Sequence, residues 1–135
     1  MTALYGRVTA GTGQAAGFMA LPWVRAGVRR ALGFDPYAGT LNVRLLDVET
    51  LLRWGEIKKR EALRLAPPAP DQCGALLVPV VVAPDVPAAV IVPDITRYEG
   101  HILEVIAEVH LRSRLRLQDG SVLALRCADG GISAG

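Results

Sequence analysis

At 135 residues, with 51% apolar and 21% charged side chains, the chain has the length and balance of one globular domain able to bury a core. Its net charge of +2 makes no basic stripe, and 5% aromatic residues are too few for a base-stacking platform, so nucleic acid is excluded as an expected partner. The most apolar run, residues 74–83, is interrupted by Pro79 and is too short to cross a bilayer, which excludes a membrane helix.

The first residues, Met1 to Gly6, lack the basic start and long apolar run of a secretory signal, so the expected location is the cytoplasm. The only cysteines, Cys73 and Cys127, form no CxxC pair and read as buried or incidental thiols of a reducing compartment. Leu4 to Ala10 reads as a first strand. Gly11 to Gly17 follows as a glycine-rich loop, a backbone type that can approach a ligand closely and aim N–H groups at an anion. An ordinary flexible loop has the same composition. Leu21 to Leu32 has helical spacing, with Pro22 in its first turn and Gly33 as its stop. Arg25, Arg29 and Arg30 decorate that helix as a solvated face.

Pro36-Tyr37-Ala38-Gly39 reads as a tight turn, with glycine free to take positive φ. The strand beyond it, from Thr40 to about Leu46, puts Thr40 and Asn42 on one face and Leu41 and Val43 on the other. On spacing alone this is a hairpin edge whose polar residues face water. The same two neutral oxygen-bearing side chains could hold a hard cation such as Mg²⁺, which takes few protein ligands and keeps waters and phosphate oxygens for the rest.

Val48 to Trp54 reads as a short helix capped by Asp47. Lys58-Lys59-Arg60 reads as a solvated turn or the start of a strand through Leu65, and residues 66–70 as a proline loop. The remainder is β-rich: Ala75 to Ala83 as one strand or two short ones separated at Pro79, a turn at residues 84–87, Ala88 to Val92, a polar loop over residues 93–100, Ile102 to Val109, and Ser121 to Arg126 entered through Gln118-Asp119-Gly120. The tail after Asp129 is expected to fray. Short strands between turn signals, with few helices, predict a mainly β fold, a small closed barrel with a few short helices.

Three stretches carry a resemblance. Gly11-Thr12-Gly13-Gln14 follows the first strand, Pro36 to Val43 follows a helix, and Thr96-Arg97-Tyr98, Leu103-Glu104-Val105-Ile106, Leu111-Arg112 and Asp119-Gly120 come in that order later. Together they resemble the CTP-dependent riboflavin kinases of archaea, cradle-loop (RIFT-like) β-barrels, over nearly the whole chain. The resemblance implies a single riboflavin kinase-like domain over residues 1–135 that transfers the terminal phosphate of CTP to the 5′-hydroxyl of riboflavin, giving FMN and CDP. Matching positions imply that Gly11, Thr12, Gly13, Gln14, Ala15 and Ala16 wrap the nucleotide and that Val109, His110, Leu111 and Arg112 line its cytidine end. They imply Mg²⁺ at Thr40 and Asn42, flavin contacts at Thr96 and Glu104, and catalytic roles for Asn42 and Glu104.

Without the resemblance, Glu104 reads as a solvent-facing strand residue and Thr96 as a turn cap. His110 is assigned no catalytic role, because a backbone contact there does not depend on its side chain. The chain departs from the family pattern at Gly13-Gln14-Ala15, where the family carries Gly-Glu-Gly, and at Ala38, where it carries proline. Those departures support an alternative, a non-catalytic flavin- or nucleotide-binding barrel acting as a sensor or binding module. A DNA-binding barrel is disfavoured by the modest charge. The choice among nucleotide donors is not set by these residues, and the sequence is compatible with a monomer.

Overall fold

The structure is a computed structural model that describes residues 2–11, 14–94 and 100–128, with the side chains of residues 14–16 outside the description. In chain order its elements are β1 (Thr2–Thr9), α1 (Gln14–Met19), α2 (Pro22–Leu32), β2 (Leu41–Leu45), α3 (Val48–Glu61), β3 (Leu63–Leu65), β4 (Ala75–Val82), β5 (Val86–Pro93), β6 (Ile102–Ala107), α4 (Leu111–Arg114) and β7 (Val122–Cys127). The sheet order is β3-β4-β5-β6-β2-β1-β7, and a further β4–β7 pairing joins its ends. Six antiparallel strands thus close into a barrel, with β3 attached at the edge of β4. Closure removes the exposed edges that six short strands would otherwise present. The expectation of a small closed β-barrel is met.

The barrel interior holds Leu4, Val8, Leu41, Val43, Val78, Val80, Val82, Val90, Leu103, Val105 and Leu125, with Trp54 and Ile57 of α3 packed into the same core. A second cluster lies on the other side of the sheet, where Val24 and Val28 of α2 and Met19 of α1 cover Leu77, Ala89, Ile91 and Ile106. Each fully buried Val or Leu contributes about 1.5–3 kcal/mol relative to exposure, so both clusters matter. A Cβ on Gly27 would lie 2.3 Å from Leu65 Cδ1, so this glycine sets how closely α2 approaches β3. The helix ends as expected: Gly33 takes φ 81° and donates its N–H to Arg29 O at 2.9 Å.

Four expectations need correction. The first is the glycine-rich stretch, where Gln14 to Gly17 belongs to α1 rather than to a loop. Glutamine and alanine are good helix formers, and Met19 anchors the element in the second core. The helix capped by Asp47 runs two turns beyond Trp54, and Lys58-Lys59-Arg60 is its last turn. Ile57 is buried, and cations at a helix C-terminus oppose the macrodipole's negative end. The Asp47 cap itself forms, with Thr50 N–H donating to Oδ1 at 2.8 Å.

Gly39 is not among the glycines with positive φ, and its turn closes instead through its N–H to Tyr37 O at 2.8 Å. Lastly, the strand expected from Ile102 to Val109 stops at Ala107, and α4 begins at Leu111. Pro79 does not split β4, which stays one strand with Pro79 opposite Ala89. Cys127 is buried and Cys73 half-buried, and the two form no disulfide with each other. No helix among the described residues is long and apolar enough to cross a membrane.

Candidate functional site

Strand β2 is no hairpin edge. It lies between β1 and β6, so both its edges are hydrogen-bonded. Leu41 and Val43 point into the barrel, which puts Asn42 on the outer face beneath the segment that leaves β1. Asn42 is 7% exposed and sits directly across from Glu104, 3% exposed, in the β2–β6 ladder. Thr40, just before β2, donates its hydroxyl to Glu104 Oε1 at 3.3 Å. The solvent-facing reading of Asn42 and of Glu104 is therefore wrong, since both are buried and the backbone at Gly11 lies against Asn42, while Thr40 is half-buried.

The carboxamide oxygen of Asn42 is buried and has no hydrogen-bond partner among the described residues. Leaving such an acceptor unsatisfied costs about 1–3 kcal/mol. A donor or a cation removes that cost, and a hard oxygen-seeking cation matches an amide oxygen beside a hydroxyl and a carboxylate. Among the described residues no three of His, Cys, Asp and Glu converge. An ion at this place would meet the Asn42 amide oxygen, the Thr40 hydroxyl and the Glu104 carboxylate, an all-oxygen set that fits Mg²⁺ better than a transition metal.

Gly11 completes the cluster. A Cβ built on it would lie 1.9 Å from Asn42 Nδ2 and 2.7 Å from Oδ1, so the backbone at position 11 touches the carboxamide. The sequence singles out Gly11 only as part of a loop; its partner on the neighbouring strand becomes visible once β1 and β2 are paired.

Two clefts open on either side of Thr40 and Glu104. One, of about 260 Å³, is lined by residues 37–41 and by Val105, Ala107, Val109, His110, Leu111 and Arg112. Its rim carries Tyr37 and His110, whose rings are 5.0 Å apart and tilted by 38°. Tyr37 N–H is tied to Ala107 O at 2.7 Å, and His110 Nδ1 lies 2.6 Å from Ser113 Oγ. Arg112 is held at the rim by Asp119 at 2.7 Å. The other, of about 110 Å³, lies beyond Glu104 between β5, β6 and α3, and is lined in part by Trp54, Lys58, Ile91, Gly100, Ile102 and Glu104. Trp54 and Lys58 stand one helical turn apart, a signal readable in the sequence only if α3 is known to extend past Trp54.

The structure thus brings together Gly11, Thr40, Asn42 and Glu104, and places Val109 to Arg112 beside them on the wall of the larger cleft. Thr12, Gly13 and Thr96 lie outside the described residues, and Gln14, Ala15 and Ala16 are placed only as backbone of α1. Just before the stretch that holds Thr96, Asp94 accepts both guanidinium nitrogens of Arg64 (2.5 and 2.8 Å) and the N–H of Gly74 at 3.1 Å. The Arg64 hydrogen bonds hold the Asp94 carboxyl below the usual carboxylate range.

The family model CTP-dep_RFKase, described as a domain of unknown function (DUF120), matches residues 8–127. A riboflavin kinase of Aeropyrum pernix is 37% identical over 105 residues, 76% of this chain and 79% of its own length. A riboflavin kinase of Thermofilum pendens is 35% identical over 124 residues, 87% of this chain and 55% of its own. One of Methanosarcina acetivorans is 33% identical over 132 residues, 96% of this chain and again 55% of its own. The chain therefore spans most of the first relative and about half the length of the other two.

Proposed function

The chain belongs to the CTP-dependent riboflavin kinase family, and from that membership we propose that it transfers the terminal phosphoryl group of CTP to the 5′-hydroxyl of riboflavin. The observation that carries the reading is the buried, unpartnered Asn42 carboxamide oxygen beside Thr40 and Glu104, at the junction of two clefts. Thr40 and Asn42 are the residues that would hold Mg²⁺. Such an ion would supply charge neutralisation for the phosphate groups.

The remaining work is positioning, which is most of what phosphoryl transfer asks of a protein. The larger cleft takes the cytidine end along Val109, His110, Leu111 and Arg112, and the backbone of residues 11–16 runs past the phosphates. Glu104, joined to Thr40, accepts a hydrogen bond from the attacking hydroxyl and aligns it. As the oxygen bonds to phosphorus and the bond to the leaving CDP breaks, the hydroxyl proton passes to the Glu104 carboxylate or to water. Thr96 contributes to the flavin side. The domain works as one unit in the cytoplasm, a reducing compartment that suits thiols at Cys73 and Cys127.

The experiment is FMN formation from riboflavin and Mg²⁺ with CTP, ATP, GTP and UTP in parallel. We expect FMN with CTP foremost, and none from Asn42→Ala, whose circular dichroism should match the parent. An active Asn42→Ala removes the metal assignment. Riboflavin binding without FMN from any triphosphate replaces the kinase by a flavin-binding barrel, a reading that α1 favours by filling part of the expected glycine loop.

A further inference from the structure

The turn over residues 118–121, which enters β7, is fixed without help from the side chain of Asp119. Gly120, at φ 91°, donates its N–H to Val8 O at 2.8 Å, and Arg7 Nη1 donates to Gly120 O at 3.0 Å. Ser121 N–H closes the turn onto Gln118 O at 2.9 Å, and Ser121 Oγ accepts from Gln118 N–H at 3.0 Å. The Asp119 carboxylate takes part in none of these bonds. It accepts instead from Arg112 Nη2 at 2.7 Å. The same segment grips Arg112 a second time: Arg116, at φ 53°, turns the chain back, and Leu117 N–H donates to Arg112 O at 2.8 Å. The side chain of Arg112 is 34% exposed and that of Asp119 64%, and a pair so open to water adds little to stability. Its effect is to select one orientation of a long, flexible side chain on the wall of the larger cleft. The bond uses one of the guanidinium's several N–H donors and leaves the others for an occupant of the cleft.

We propose that Asp119 is a positioning residue for the nucleotide: it holds the Arg112 guanidinium in the orientation presented to the larger cleft, so that this side chain is ordered before the nucleotide arrives. The inference rests on the kinase reading, in which that cleft takes the cytidine end. Without the carboxylate, binding itself must immobilise the guanidinium, and nucleotide affinity falls by that ordering cost. A purely structural role for Asp119 predicts the opposite pattern, a lower melting temperature with nucleotide affinity intact.

The test is steady-state FMN formation by the full chain, with CTP varied at saturating riboflavin and Mg²⁺. Asp119→Asn removes the charge and keeps a residue type at home in this turn. It should raise the KM for CTP about fivefold, with kcat and melting temperature as in the parent, and Asp119→Glu should recover most of the loss. In an Arg112→Ala background Asp119→Asn should change KM no further. Parent-like KM in Asp119→Asn overturns the inference. So does a KM effect of equal size with and without Arg112, which shows Asp119 acting by another route. If the parent forms no FMN, the kinase reading falls, and CTP affinity of the same variants by calorimetry decides the inference through the same cycle. If the parent binds no CTP, both fall.

Discussion

An alanine at position 11 would strike the side chain that we assign to the metal. Its Cβ would lie 1.9 Å from Asn42 Nδ2 and 2.4 Å from Cγ, separations no non-bonded pair of atoms sustains. Asn42 is 7% exposed and faces Glu104 across the ladder, so its carboxamide has little free space to rotate into. Overpacking of this kind costs about 1–3 kcal/mol. For a chain of this length each kcal/mol lowers the melting temperature by roughly 3–5 °C. The assay is a double-mutant cycle of Gly11→Ala and Asn42→Ala, followed by urea and thermal unfolding.

In the Asn42→Ala background the colliding atoms are gone, so Gly11→Ala should then cost no more than about 0.5 kcal/mol. In the parent background the same change should also abolish FMN formation, because the carboxamide oxygen is displaced. An equal stability cost in both backgrounds would refute the contact, and full activity of Gly11→Ala would refute the tie between Gly11 and the metal ligand.

Asp94, whose carboxyl is held low by Arg64, contributes stability that is present above its unfolded value and lost as pH falls through the folded one, below about pH 4. Asp94→Asn should therefore lower the melting temperature at pH 7 and flatten its fall toward pH 3; an unchanged acid limb would count against the Arg64 pair. Arg116 takes φ 53° just after α4, so Arg116→Gly should raise stability by about 0.5–1 kcal/mol in urea unfolding. Trp54→Ala should cost about 3–5 kcal/mol by thermal melt, since Trp54 joins the barrel core to α3.

Much of the chain's organisation is local and was readable. Pro22 and Gly33 bound α2, Asp47 starts α3, and alternation separates Thr40 and Asn42 from Leu41 and Val43. These features depend on backbone sterics and on period, which a sequence displays directly. The end of α3 was not readable, because a basic run is equally at home in a turn and in a helix's last turn. Gln14 to Gly17 misled in the opposite sense: two flanking glycines suggested a loop, and burial of Met19 pulled the segment into a helix.

The family resemblance, too, was carried by the sequence, since Pro36-Tyr37 through Thr40-Leu41-Asn42-Val43 and Leu111-Arg112 are short ordered strings. What burial does to those strings was decided only by tertiary structure. Asn42 and Glu104 lie far apart in the chain and look like residues for water; closing six strands into a barrel sets them face to face and shuts solvent out. The contact of Gly11 with Asn42 arises from a pairing distant in the chain. Local propensity reports only what neighbours along the chain prefer, whereas desolvation and the meeting of side chains depend on which strands the closed sheet brings side by side.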